Sequence, residues 1–152
     1  MADFRQSFST GVAAAQAAAA NKKEINDLIM EVNKQLKETY DGKVHFGVWN
    51  LSKKLRKKGT VTNVFVDAFN LDVVEYQGLC ITNSDNKEPI ALVEWKISEN
   101  GYPCIIKYDD RDAYCYNKED LVTEFSTLLS DVKTGKAILK QLEIFSEKGQ
   151  TT

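Results

Sequence analysis

The stretch at residues 76–117, YQGLCITNSDNKEPIALVEWKISENGYPCIIKYDDRDAYCYN, decides the fold because it holds four β-prone segments separated by short polar turns. The segments are YQGLCITN, PIALVEWKIS, YPCIIKYD and DAYCYN, and the turns lie around residues 84–88, 99–101 and 109–111. Turns this short join neighbouring antiparallel strands and leave no room for a crossover helix. The sequence therefore predicts a four-stranded antiparallel meander.

The second of these segments alternates between apolar and charged residues, as a strand with one buried face does. One face of the predicted sheet is therefore core and the other faces solvent. The predicted core positions are Ala91, Val93, Trp95 and Ile97, and the predicted solvent positions are Glu94 and Lys96.

A long helix is predicted before the sheet. Seven of the eight residues at 13–20 are alanine, the best helix former, and apolar residues then recur at helical spacing through residues 25–36. The pattern predicts a helix from about Gly11 to the turn pair at residues 41–42, after a flexible start at residues 1–12. At about 45 Å it is longer than a domain of this size is wide, so part of it is expected to overhang.

Between the helix and the meander the pattern is less regular. Residues 43–52 are predicted to form a strand, residues 53–58 a basic loop or hairpin tip, and residues 60–66 the returning strand. Residues 67–75 fit either a short helix or more strand.

The C-terminal part is predicted to be helical. Asn117 can cap a helix whose apolar stripe resumes past Gly135, which is either a bend or a tolerated gap, and residues 147–152 are expected to be flexible. The predicted fold is α+β in one domain. It has a long N-terminal helix, an antiparallel sheet of five or six strands, and a C-terminal helix or broken helix pair packed on that sheet.

Charge and cysteine content restrict the function. The net charge of −2 and the pI near 5.5 give no overall attraction to nucleic acid or to an anionic membrane, and no window of 18 apolar residues is present. The three cysteines, Cys80, Cys104 and Cys115, cannot all pair within the chain. Reduced thiols and a cytosolic location are expected, without membrane association.

The segment EWK, which ends at Lys96, resembles the E-x-K element of the PD-(D/E)xK nucleases. The resemblance implies a Mg²⁺ held by Glu94 together with Asp72 or Asp85, and a role for Lys96 in orienting the attacking water. The alternative is that Glu94, Lys96 and Lys107 take part in cross-strand charge pairs on a solvated sheet face.

Other catalytic or cofactor sites have no support in the sequence. His45 is the only histidine, there is no C-x-x-C pair, and both glycine-rich phosphate-loop motifs are absent. We predict no catalytic set and no cofactor, which favours a protein that is not an enzyme.

The basic run after the first predicted strand has two interpretations. Clustered lysine and arginine can neutralise phosphates, and this makes nucleic-acid binding an alternative function. The same residues can also keep a hairpin tip soluble and its edge unpaired. They are Lys53, Lys54, Arg56, Lys57 and Lys58.

The favoured function is protein–protein interaction. The N-terminal helix carries a seam of small and then branched residues, and two tyrosines are predicted on the outer sheet face beside charged residues. The candidate contact residues are Ala14, Ala18, Ile25, Leu28, Tyr114 and Tyr116. A second copy of the chain could cover the overhang, so a homodimer is expected. In composition the chain resembles small acidic accessory proteins of phages and mobile elements, including inhibitors and immunity proteins.

Overall fold

The computed structural model describes residues 1–56, 71–85 and 87–150 of the 152-residue chain. Within these ranges the chain has a long N-terminal helix, five strands and two C-terminal helices, which is the predicted α+β architecture. The elements are α1 (Arg5–Thr39), β1 (Val44–Arg56), β2 (Leu71–Asn83), β3 (Ile90–Ser98), β4 (Gly101–Lys107), β5 (Asp112–Cys115), α2 (Lys118–Leu129) and α3 (Val132–Gln150).

The strands form one antiparallel sheet in the order β1-β2-β3-β4-β5, and the predicted meander is confirmed as β2 to β5. The ambiguous segment 67–75 is strand from Leu71 onward. The expected loop at residues 53–58 is wrong for residues 53–56, because these extend β1 and pair with β2. The strand predicted at residues 60–66 lies outside the described residues, as do Lys57 and Lys58.

One face of the sheet holds the hydrophobic core, and all three helices pack on it. Phe125 of α2 lies at its centre, with ring centroids 6.0 Å from those of both Phe46 and Trp95. Ile25 of α1 and Ala137 of α3 belong to the same buried cluster. The fold is therefore two layers, and no described helix covers the opposite face of the sheet.

A β-bulge changes the predicted alternation in β3. Leu79 pairs with Val93 and Cys80 pairs with Ala91, so Leu92 is the extra residue, and it is buried in the core. Because Cys80 follows Leu79 in a regular strand, it points to the opposite face, and Ala91 points there with it. The prediction is confirmed for Val93, Trp95 and Ile97, which pack in the core, and it is wrong for Ala91.

Helix α1 begins at Arg5 rather than near Gly11, so residues 5–12, expected to be flexible, are helical. The Asp3 carboxylate accepts a hydrogen bond from the Arg5 N–H at 3.0 Å and satisfies one of the free donors of the first turn. The helix ends as predicted, and Asp41 and Gly42 take positive φ angles of 54° and 75°.

The turn between β3 and β4 fixes the position of α1. Gly101 has a φ of +89°, and a Cβ added there would lie 2.7 Å from the Cβ of Asn21. Asn21 donates a hydrogen bond from Nδ2 to the carbonyl of Asn100 at 3.0 Å, and the Tyr102 hydroxyl donates to Oε1 of Glu24 at 2.7 Å. From Asn21 onward, α1 is therefore held against the sheet.

The C-terminal helices are a broken pair, one of the two predicted arrangements. The break falls at residues 130–131 and not at Gly135, which lies within α3 with open space around it. The buried Thr134 hydroxyl donates to the carbonyl of Leu128 at 2.7 Å and joins the two helices. The backbone is helical to Gln150, which includes residues 147–150 of the expected flexible tail.

We predict that Gly101→Ala lowers the free energy of unfolding by about 2–4 kcal/mol, because the new methyl group overlaps α1 and the positive φ disfavours alanine. Chemical denaturation followed by circular dichroism measures the change. Gly135→Ala is the matched control, since its Cβ meets nothing within 4 Å, and it should stabilise α3 by up to about 1 kcal/mol. Equal stability of the two variants would contradict the proposed close contact.

Candidate functional site

The first candidate surface is the exposed N-terminal half of α1, here called the N-terminal arm (residues 5–20). Every residue from 1 to 17 is exposed, and the first buried residue of the helix is Ile25. Residues 6–21 include no charged side chain. The arm is a largely uncharged helix of about 24 Å that projects from the domain.

Large apolar side chains lie on the arm and next to it. Phe4, Phe8 and Val12 are 59–71% exposed, in contrast to the core residues further along the helix. The Thr10 hydroxyl donates to the carbonyl of Gln6 at 2.9 Å, so this polar side chain is satisfied within the helix. The apolar side chains are consequently the part of the arm that gains most by being covered.

A single helical seam joins the arm to the core. The residues of this seam are alternately four and three positions apart, so they lie on one side of the helix and can all contact the same packing partner. The C-terminal part of this seam packs against the sheet, while the N-terminal part faces solvent. The exposed positions are Phe4, Phe8, Gly11 and Ala15; Ala18 is half-buried, Lys22 interrupts the seam, and the packed positions are Ile25, Ile29, Val32 and Leu36.

The predicted contact residues of α1 are divided by this packing. Ile25 is 0% exposed and Leu28 packs on the core, so the chain's own sheet already uses them. Ala14 is exposed and Ala18 is half-buried, and both lie on the arm. Phe4 and Phe8 were not among the predicted contact residues, because nearby Ser, Thr and Gly residues weaken a helix, although the spacing of the two phenylalanines continues the seam.

The second candidate surface is the outer face of the sheet. The register aligns Lys96, Ile105 and Tyr114 in one row across β3, β4 and β5. Tyr114 and Tyr116 are more than half exposed; Tyr114 lies on β5, whereas Tyr116 follows the end of that strand. Their proposed role as partner contacts stays a prediction.

Glu94 on this outer face is part of a charge cluster. The Lys53 Nζ lies 3.5 Å from Glu94 Oε2 and 4.8 Å from the centroid of the Tyr76 ring. Lys107 is the cross-strand neighbour of Glu94 in the register. These neighbours favour charge pairing of Glu94 over a role as a metal ligand. Lys53 itself belongs to strand β1 and not to a loop.

The acidic residues of the nuclease alternative do not come together. Glu94 of β3 pairs with Gly78 of β2. Asp72 lies six residues from Gly78 along β2, which corresponds to about 20 Å. Asp85 lies beyond the opposite end of β2. Among the described residues, no group of three His, Cys, Asp or Glu side chains is placed to hold a metal ion.

The three cysteines are free and buried, as expected of small apolar residues. Burial raises the pKa of the Cys80 and Cys115 thiols to about 11 and that of Cys104 to about 12. Since the thiolate is the nucleophile, protonated buried thiols are poorly suited to covalent catalysis.

A second charge contact, which is partly exposed, anchors the β4–β5 turn to α2. The Glu124 Oε1 accepts hydrogen bonds from the Tyr108 hydroxyl at 2.8 Å and from the Arg111 Nη2 at 2.6 Å. The Arg111 guanidinium lies over the Tyr108 ring, 4.2 Å from its centroid. Burial, and then the hydrogen bond to Glu124, raise the pKa of Tyr108, so this phenol stays protonated and serves as a structural donor.

Comparison with protein-family models, with curated proteins and with solved structures found no match. In the described ranges, no helix has the length and hydropathy needed to cross a lipid bilayer. Function is therefore inferred from the surfaces of this chain alone.

We predict that a thiol reagent at pH 8 labels none of the three cysteines rapidly in the folded protein and all three in guanidinium. Ser7→Cys on the arm is the positive control and should react at once. Because the thiols ionise near pH 8.5–9 when unfolded and only near pH 11–12 when folded, the free energy of unfolding should fall as pH rises from about 9 to 11. Rapid labelling of a native cysteine would contradict this arrangement.

Proposed function

We propose that the chain is a non-enzymatic interaction protein of the cytosol that forms a homodimer through its N-terminal arm. The observation that carries the proposal is the seam of α1, which packs on the chain's own sheet at one end and is exposed at the other. Three free, buried cysteines support a reducing compartment. The size of 17.1 kDa and the acidic composition support an accessory role of the inhibitor or immunity type.

An exposed arm of this kind gains stability from a partner. An isolated helix of about 16 residues is only marginally stable in water, even when it is rich in alanine. Covering one Phe side chain is worth roughly 1.5–3 kcal/mol, and both Phe4 and Phe8 are more than half exposed. A second helix on the seam would therefore stabilise the arm and bury its largest apolar residues.

A second copy of the same arm is a suitable partner. With no charged side chain at residues 6–21, two copies meet without like-charge repulsion. The glycine and alanine positions allow helix axes to approach to about 8 Å, the short end of the usual range. Self-association through one shared surface is also the commonest symmetry of soluble oligomers.

The arrangement of large and small residues favours antiparallel pairing. The large residues Phe4 and Phe8 lie toward the N-terminus of the seam, and the small residues Gly11, Ala15 and Ala18 follow them. An antiparallel pair centred near residues 9–10 places each phenylalanine against a small residue of the partner. A parallel pair would oppose ring to ring and methyl to methyl, and would leave gaps between the alanines. Antiparallel helix dipoles are also mutually favourable.

We predict a particle of about twice 17.1 kDa at micromolar concentration, and a monomer for Phe8→Asp, because a carboxylate in the seam would be buried without a partner. Light scattering after gel filtration measures both masses. Leu139→Asp is the matched control, since Leu139 is 65% exposed on α3 and away from the seam, and it should remain dimeric. A wild-type monomer under these conditions would reject self-association.

We predict that the distance between the two spin labels of a dimer differs between two single-cysteine variants, Ser9→Cys and Ala20→Cys. In the antiparallel pair, labels at residue 9 lie close to the two-fold axis, while those at residue 20 are farther apart by about 30 Å. Pulsed electron resonance measures the distances. Equal short distances in a protein that is dimeric would reject the antiparallel orientation and leave self-association intact.

A further inference from the structure

The edge of the sheet formed by β1 is long and regular. β1 has 13 residues and lies at the end of the strand order, whereas the other edge, β5, has four. The register between β1 and β2 runs without a shift from Val44 opposite Asn83 to Arg56 opposite Leu71. No proline or bulge distorts this strand, although these are common devices that prevent strand addition.

Helix α1 covers only the beginning of this edge. The Phe46 N–H points away from β2 and donates to Oδ1 of Asn33 at 2.9 Å. In an antiparallel pair every second residue has this orientation, so the N–H and C=O groups of Val48, Asn50 and Ser52 also point outward. None of these outward backbone groups has a hydrogen-bond partner among the described residues. We call residues 48–56 the open edge.

The open edge is positively charged. It has the sequence VWNLSKKLR, with three basic residues and no acidic one. The Lys53 ammonium reaches Glu94 on the outer face, but at 3.5 Å and with the lysine side chain 44% exposed. A second open edge would bring a second set of positive charges, so charge disfavours self-pairing here and favours an acidic strand.

We propose that the open edge of β1 accepts an extended acidic segment of another protein as an additional strand. Main-chain hydrogen bonds to the outward groups would supply the affinity, and the basic side chains would select acidic residues in the incoming segment. This contact uses a different surface from the arm and does not depend on self-association. An open strand edge favours a peptide over nucleic acid, because phosphate contacts need positive charge but do not use unpaired backbone N–H and C=O groups.

The test uses a ten-residue peptide of alternating glutamate and threonine, with a lysine–threonine peptide and a short DNA duplex for comparison. Ser52→Pro removes one outward N–H but none that bonds to β2, and Ser52→Ala is its matched control. We expect the glutamate peptide to bind at low salt and to protect the amides of Val48, Asn50 and Ser52 from hydrogen exchange. Ser52→Pro should weaken this binding about tenfold, and Ser52→Ala by less than twofold.

A second variant keeps the test decisive if Ser52→Pro fails to fold. Lys54→Glu leaves the backbone of the open edge intact and should weaken binding of the glutamate peptide while strengthening binding of the lysine peptide. No binding of the glutamate peptide, or equal binding of both peptides, would overturn the proposal. So would retention of the DNA duplex without amide protection by the glutamate peptide, and this result would assign the basic run to nucleic-acid contact.

Discussion

The packing of Phe125 between Phe46 and Trp95 is the contact on which the rest of the structure depends. It joins α2 to the first and third strands of the sheet and defines the side on which α1 and α3 must also lie. Because all three helices share this one face, the available area limits how much of each helix can be covered. Helix α1, at 35 residues, exceeds that area, so its first half is left in solvent.

Most of the fold could be predicted because its elements have clear periods and short connections. The two-residue period and the polar turns of residues 76–117 specify neighbouring antiparallel strands. The bulge at Leu92 was not predictable, since a one-residue insertion leaves the apolar composition of the strand unchanged. The position of the helix break was not predicted either. Glycine is a poor helix former, so Gly135 was the expected site, but the helix is interrupted at Ser130, whose hydroxyl donates a hydrogen bond to the carbonyl of Ser126.

The candidate surfaces were less predictable than the fold, for two physical reasons. Ile25 and Phe8 occupy equivalent positions in the helical pattern of apolar residues. Which of them is buried depends on how far the sheet extends along α1, and only Ile25 lies over the sheet. The strand register is likewise not readable from the sequence. Asp72, Asp85 and Glu94 could therefore be assigned to one site, although the register places Glu94 opposite Gly78, six residues along β2 from Asp72, and Asp85 lies beyond the other end of β2. The open edge followed from the strand order, which places residues 53–56 of the basic run on an outermost strand.

The projecting arm also affects how strongly the proposed edge could hold a target. A symmetric pair of subunits would present two identical docking strands within one particle, and a target with two acidic segments could engage both. The second engagement is then intramolecular, with an effective concentration in the millimolar range for short flexible tethers. The overall affinity for such a target would then exceed the affinity of either strand pairing alone. The distance between the two edges would determine which targets can bind both.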